Sequence, residues 1–195
     1  MAGRLIFGLV GFALLGACGE APKPSEPLED MTPEEAANAE RTALARCGEV
    51  TVQGYCGVRF GMTVDEAKQA FPVALQGYEV PAEGDISAAA CHELFAAEPV
   101  TGVSFLVEGG RVGRVDFLTE SARTVDGFGV GTQASAIRTR FGDRMGVVTN
   151  ALEPEITDLS VTEGDAKFVF EIQDGIVRAW RAGVAPTIDY VAHCG

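Results

Sequence analysis

The sequence predicts an α+β fold of two tandem units, each a short helix packed on an antiparallel sheet, preceded by a signal, a linker and one helix. Three observations predict it. A Gly-led turn and short helix over residues 60–71 return seventy positions later over 130–141. An alternating hairpin over 103–112 returns sixty-five positions later over 168–177. Of the five cysteines, four remain once the first is set aside, an even number suited to disulfide staples.

Residues 1–17 form an export signal. Arg4 supplies the positive start, and residues 5–15 form an apolar run interrupted only by Gly8 and Gly11. A bilayer-spanning helix needs about 18 apolar residues, so the run is too short to anchor the chain by itself. Residues 18–31 carry Pro22, Pro24 and Pro27 among Glu20, Glu26, Glu29 and Asp30, the composition of an extended, solvated tether.

Residues 32–56 hold a helix and a small disulfide loop. Thr32 caps, Pro33 suits the first helical position and Glu35 completes a capping box, giving an Ala-rich helix to about Arg46 with a thin apolar stripe. Four cysteines allow three pairings. Cys47–Cys56 is favoured because it staples a short Gly-containing segment, and Cys91–Cys194 because it ties the middle of the chain to its end.

Residues 57–125 are the first unit and 126–195 the second. Thr63 and Glu66 make a capping box for the first short helix, with Val64, Ala67 and Phe71 on one face. Thr132 is the expected cap of its counterpart, with Ala134, Ile137 and Phe141 aligned. Gly109-Gly110 and Asp174-Gly175 are two-residue hairpin turns, since both positions of such a turn need φ > 0. Alternation sends Val103, Phe105, Val107, Val115 and Phe117 to the core, with Phe168, Phe170, Ile172 and Trp180. Further strands are expected over 156–162 and 188–192.

Leu15-Gly16-Ala17-Cys18, at the end of the signal, resembles a bacterial lipobox. The resemblance implies cleavage before Cys18 and lipidation of that residue, anchoring the chain to the membrane; two or more acyl chains suffice for stable anchoring. Gly19 is not the Asp that resembles an inner-membrane retention signal, which points to the outer membrane facing the periplasm. Gly61-Met62-Thr63 before a short helix, followed by a Gly-centred hairpin, resembles the SmpA/OmlA small-lipoprotein repeat. Two such units in tandem resemble the β-lactamase-inhibitor-protein fold and uncharacterised secreted bacterial proteins. These resemblances imply roles in binding: envelope assembly or scaffolding, or inhibition of a secreted or periplasmic enzyme. They carry no catalytic residues.

The chain has 15 Lys+Arg against 28 Asp+Glu, a net charge of −13. That balance argues against nucleic acid, whose phosphates need a clustered basic surface. No Gly-x-Ser-x-Gly elbow is present, and a serine triad would have to use His92 or His193, the only histidines. An enzyme or metal site on His92 and His193 is the competing reading. Each histidine adjoins a cysteine, but neighbouring residues on a strand point to opposite faces and chelate together poorly. Gly129-Val130-Gly131-Thr132-Gln133-Ala134 matches a dinucleotide fingerprint only superficially, and no cofactor is expected.

A binding surface is expected on the side of the hairpins away from the core. The first hairpin contributes Leu106, Val112, Arg114 and Asp116, and the second Val169, Glu171, Val177 and Arg181. Apolar groups on a solvent face exceed what solubility needs, and fit a protein partner.

Overall fold

A computed structural model describes residues 32–77, 91–192 and 194. The signal, Cys18, the tether over 18–31 and His193 lie outside the described residues. No helix among the described residues is long and apolar enough to cross a membrane.

The fold is α+β. Helix α1 (Pro33–Leu44) starts on the expected capping box: Thr32 Oγ1 accepts from the Glu35 amide, and Glu35 in turn accepts from the Thr32 amide. It buries only Leu44, as its thin stripe foretells. A small antiparallel pair, β1 (Gly54–Tyr55) and β2 (Val58–Arg59), follows, stapled by Cys47–Cys56 with the Cα atoms 4.4 Å apart. Helix α2 (Val64–Ala70) has the Thr63–Glu66 capping box.

Eight antiparallel strands then build one sheet: β3 (Leu75–Gly77), β4 (His92–Ala96), β5 (Val103–Glu108), β6 (Arg111–Phe117), β7 (Met145–Thr149), β8 (Thr157–Glu163), β9 (Ala166–Gln173) and β10 (Ile176–Val184). Helix α3 (Ala134–Phe141) precedes β7. The strand order is β3-β4-β5-β6-β10-β9-β8-β7, so two four-stranded meanders meet where β6 pairs β10. A second disulfide, Cys91–Cys194, joins the start of β4 to the chain end, Cα to Cα 5.5 Å. Both bridges are the favoured ones, at separations that disulfide geometry allows.

The helices cover one face of the sheet. Phe71, the C-cap of α2, meets Phe105 edge-on, and Tyr55 meets Phe117 edge-on at 5.1 Å. Where the meanders join, Trp180 lies stacked between Phe117 (4.4 Å) and Phe170 (5.7 Å). Each residue assigned to the core by alternation is buried.

The two short helices dock alike. Gly61, at φ +89°, donates to the Val112 carbonyl at 2.7 Å, and Val112 donates back to Met62 at 2.8 Å. Gly131, at φ +84°, donates to Val177 at 2.8 Å, and Val177 donates to Thr132 at 2.9 Å. The hairpin turns match as well: Gly109, Gly110, Asp174 and Gly175 all have positive φ.

Three sequence expectations are corrected. The N-cap of α3 is Gln133, with no side-chain cap; the Thr132 hydroxyl instead accepts from the Gly129 amide at 3.0 Å. The segment expected as a strand over 188–192 is a 3-10 turn, Thr187–Asp189, leading to the chain end. Val112 and Val177 face the core. Each hairpin holds one extra residue, Gly113 in β6 and Arg178 in β10, so that Val107 pairs Val112 and Ile172 pairs Val177. A bulge re-aims every side chain on its turnward side, which simple alternation cannot foresee.

Tyr55 gives this packing a pH signature. Burial, and then the charge of Glu40, pushes its phenol up from 10.0 to about 12. The folded state therefore holds the proton that the unfolded chain releases. The resulting stability is complete below pH 10 and is lost as pH rises through about 12. In an absorbance titration Tyr55 is expected to ionise only with unfolding, and Tyr55→Phe should flatten the alkaline loss of stability. An ordinary, reversible titration of Tyr55 near pH 10 in the folded protein would contradict this.

Candidate functional site

The face opposite the helices is where the hairpin residues named above project. The structure does not leave it open. The 3-10 turn Thr187–Asp189 packs over β5, β6 and β10, and Leu106 (0% exposed), Val169 and Ile188 are buried there, apart from the main core. Arg114, 2% exposed, donates through Nε to Asp116 at 2.8 Å and through Nη1 to the carbonyls of Thr187 and Tyr190, each at 3.1 Å. Tyr190 donates to Glu108 at 2.8 Å, a bond that raises its phenol above the usual tyrosine range, with burial adding to it. Lys167 pairs with Asp189. The end of the chain is thus a strap laid across the first hairpin.

Beside the strap runs a groove of about 770 Å³. Its floor is a charge-paired row carried by cross-strand register. Arg181 sits opposite Asp116 on β6 and Val169 on β9. Its guanidinium, 5% exposed with the rest of the residue, donates to Glu171 at 2.7 Å and to Asp158 at 3.4 Å. Arg178, turned outward by the β10 bulge, reaches Glu153 in a bidentate pair at 2.5 and 3.0 Å, and Glu171 at 3.4 Å. The Arg178 hydrogen bond holds the Glu153 carboxyl below its ordinary 4.5, and Glu153 together with Glu171 raises Arg178. Nε of Arg178 and Nε of Arg181 are buried without a hydrogen-bond partner among the described residues.

The rim is apolar. Phe95 of β4, Leu118 after β6, Leu152 in the loop before β8 and Val191 near the chain end all line the groove. Leu118 is 71% exposed and Leu152 64%. A large apolar side chain held at a groove mouth costs water-exposed area that a bound partner would remove.

The expected surface is therefore redrawn. Of the eight residues named for it, Val112 and Val177 belong to the core, and Leu106, Val169, Arg114 and Arg181 are buried beneath the strap or within the charge row. Asp116 and Glu171 retain partial access. The four rim residues went unread, because each is a single apolar residue in a different segment and only the sheet order brings them together.

Cys91 and Cys194 are spent in a disulfide, which removes them as metal ligands. His92 opens β4, half-buried and paired across from Val107. Among the described residues no three His, Cys, Asp or Glu side chains are grouped to hold a metal ion. What the groove offers chemically is recognition: paired charges whose remaining lone pairs and guanidinium edges can hydrogen-bond, ringed by apolar contact area.

No family model and no curated protein sequence matches the chain. Two solved structures overlap it. A DUF4309 family protein, YjgB, from Bacillus subtilis is 16% identical with a TM-score of 0.39, covering 77% of this chain and 96% of its own. The uncharacterized protein yfeY from Escherichia coli is 11% identical with a TM-score of 0.41, covering 70% and 99%. Neither likeness supplies a residue or a function to this chain.

Proposed function

We propose that this is a lipid-anchored envelope protein, held in the membrane through Cys18 and working by binding another protein in the groove. The observation that carries this reading is the rim: four apolar side chains from four segments, gathered around a floor whose charges are already paired. Such a floor repels neither sign of charge strongly and leaves affinity to the apolar rim, where anchors seated in a groove dominate binding energy. In this reading the two meanders are tandem units of the SmpA/OmlA kind. Matching docking of α2 and α3, matching positive-φ turns and matching bulges support that kinship. Envelope assembly or scaffolding is the role proposed.

A photo-crosslinking residue placed at Leu118 or Leu152 tests the groove in cells, because both side chains are exposed and carry no fold. The expected result is a discrete adduct with an envelope component, abolished by Phe95→Ser. No adduct at either position, or adducts equally strong from a control at Val52 across the molecule, would overturn the groove as the binding site. Recovery of a soluble hydrolase in place of an envelope component would replace assembly by enzyme inhibition. Mass spectrometry of the N-terminus tests the anchor separately: an unmodified Cys18, or an intact Met1, contradicts it.

A further inference from the structure

We infer that the groove captures its partner by the backbone: an extended, uncharged segment whose peptide groups exchange hydrogen bonds with Arg178 and Asp116. The inference rests on the groove being the binding site and names the chemistry of what fills it. Its precedent lies on the same face of the sheet. There Arg114, backed by the carboxylate of Asp116, collects the backbone carbonyls of Thr187 and Tyr190. A guanidinium neutralised by an acid thus already holds a peptide segment against the first hairpin.

The two hairpins differ at their extra residue. A Cβ on Gly113 would collide with Thr187 Oγ1, so that glycine makes room for the strap. On the second hairpin the extra residue is Arg178, and the groove lies against it. The guanidinium is again backed by acids, Glu153 and Glu171. The groove crosses five neighbouring strands, β4 to β9 through β5, β6 and β10. At about 4.8 Å per strand that is roughly 19 Å, the reach of about six extended residues.

Charge and hydrogen-bonding capacity select a peptide. A guanidinium carries five N–H groups. Among the described residues Arg178 spends three, on Glu153 and Glu171, and Arg181 spends two, on Glu171 and Asp158. The Arg178 side chain is 34% exposed, so its spare donors border the groove. Asp116 lies opposite Arg181, has a side-chain exposure of 20% and spends only Oδ2, leaving Oδ1 as an acceptor. A carboxylate entering here meets Glu153 and Glu171, and an ammonium meets Arg178. A peptide group brings a donor and an acceptor with no net charge, which suits a floor whose charges are cancelled but whose donors are not all met. Apolar side chains of the same segment reach the rim.

Chemical-shift titration of the purified full-length protein with the capped peptide acetyl-Leu-Thr-Leu-Thr-Leu-Thr-amide tests this. Saturable shifts are expected at the Arg178 side-chain N–H groups and at the amides of Asp116 and Leu118. Replacing the two central amides of the peptide by esters weakens the carbonyl acceptors and removes two donors. It should weaken binding about tenfold, as should Arg178→Gln, each the worth of one hydrogen bond to a charged group. Glu153→Gln breaks the same ion pair but leaves the guanidinium, and should bind the peptide at least as tightly as the native protein. No saturable shift, an ester that binds as well as the amide, or equal losses in Arg178→Gln and Glu153→Gln overturns the proposal. So does binding confined to the peptide with a free C-terminal carboxylate, which would make the groove a reader of carboxylates. Crosslinks at Leu118 or Leu152 that persist undiminished in Arg178→Gln would retain the groove and remove backbone capture alone.

Discussion

Replacing Cys91 and Cys194 together by serine is expected to lower the free energy of unfolding by about 4–5 kcal/mol, the largest effect of any pair of substitutions proposed for this chain. The bridge spans a separation of 103 residues. It encloses seven of the eight strands of the sheet. Without it the unfolded chain regains the freedom of that whole loop, and the entropy regained grows with the logarithm of loop length. The Cys47–Cys56 bridge, with a separation of 9, should contribute only about 2.5 kcal/mol by the same relation. Urea unfolding of the two double-serine variants measures both. The m-value should rise more for the long loop, because its unfolded state exposes more surface once uncrosslinked. A loss for Cys91/Cys194 no greater than that for Cys47/Cys56 would contradict the loop-entropy account.

That ordering was legible before any coordinates, and so was much of the fold. Counting cysteines leaves three pairings, and the two favoured for the loops they close, Cys47–Cys56 and Cys91–Cys194, are the ones formed. Helices α1 and α2 announced themselves through Thr32/Glu35 and Thr63/Glu66, because a capping box is local and its two partners lie three residues apart. The hairpins followed from Gly109-Gly110 and Asp174-Gly175, where the turn geometry selects the residue type. What escaped was non-local. Gly113 and Arg178 each insert one residue into a ladder, and nothing in an alternating pattern says which residue is the extra one. β7 is five residues with four of them exposed, so it shows neither a buried run nor a two-residue period. The strand expected over 188–192 gives way to a turn, in which Arg114 on a distant strand collects the carbonyls of Thr187 and Tyr190. The same non-locality hid the groove. Its rim residues lie in four segments between Phe95 and Val191, and its floor depends on a bulge that swings Arg178 outward.

Arg114→Met should cost about 3 kcal/mol and should do so by loosening the strap. The substitution preserves most of the aliphatic volume but removes a guanidinium that holds one carboxylate and two backbone carbonyls in a site only 2% exposed. Breaking a buried pair by deleting one partner costs about 3–5 kcal/mol. The low end applies here, because Asp116 keeps a side-chain exposure of 20% and can recover water. Alongside the Tyr190–Glu108 and Lys167–Asp189 contacts, the strap is tied at Thr187 and Tyr190 by Arg114 and at Cys194 by the disulfide to Cys91. Two ties on one segment cannot be independent: once either is cut, part of what the other secures is already lost. In the background with Cys91 and Cys194 replaced by serine, Arg114→Met should therefore cost about 1–2 kcal/mol less than in the intact protein, within the range found for residues sharing a network. Additivity within about 0.5 kcal/mol in this double-mutant cycle would show that the two ties hold different things, and the strap would then not be a single element. Coupling of the expected size would mean that the strap lifts as a unit, uncovering Leu106 and Ile188 and extending the apolar rim of the groove onto the first hairpin.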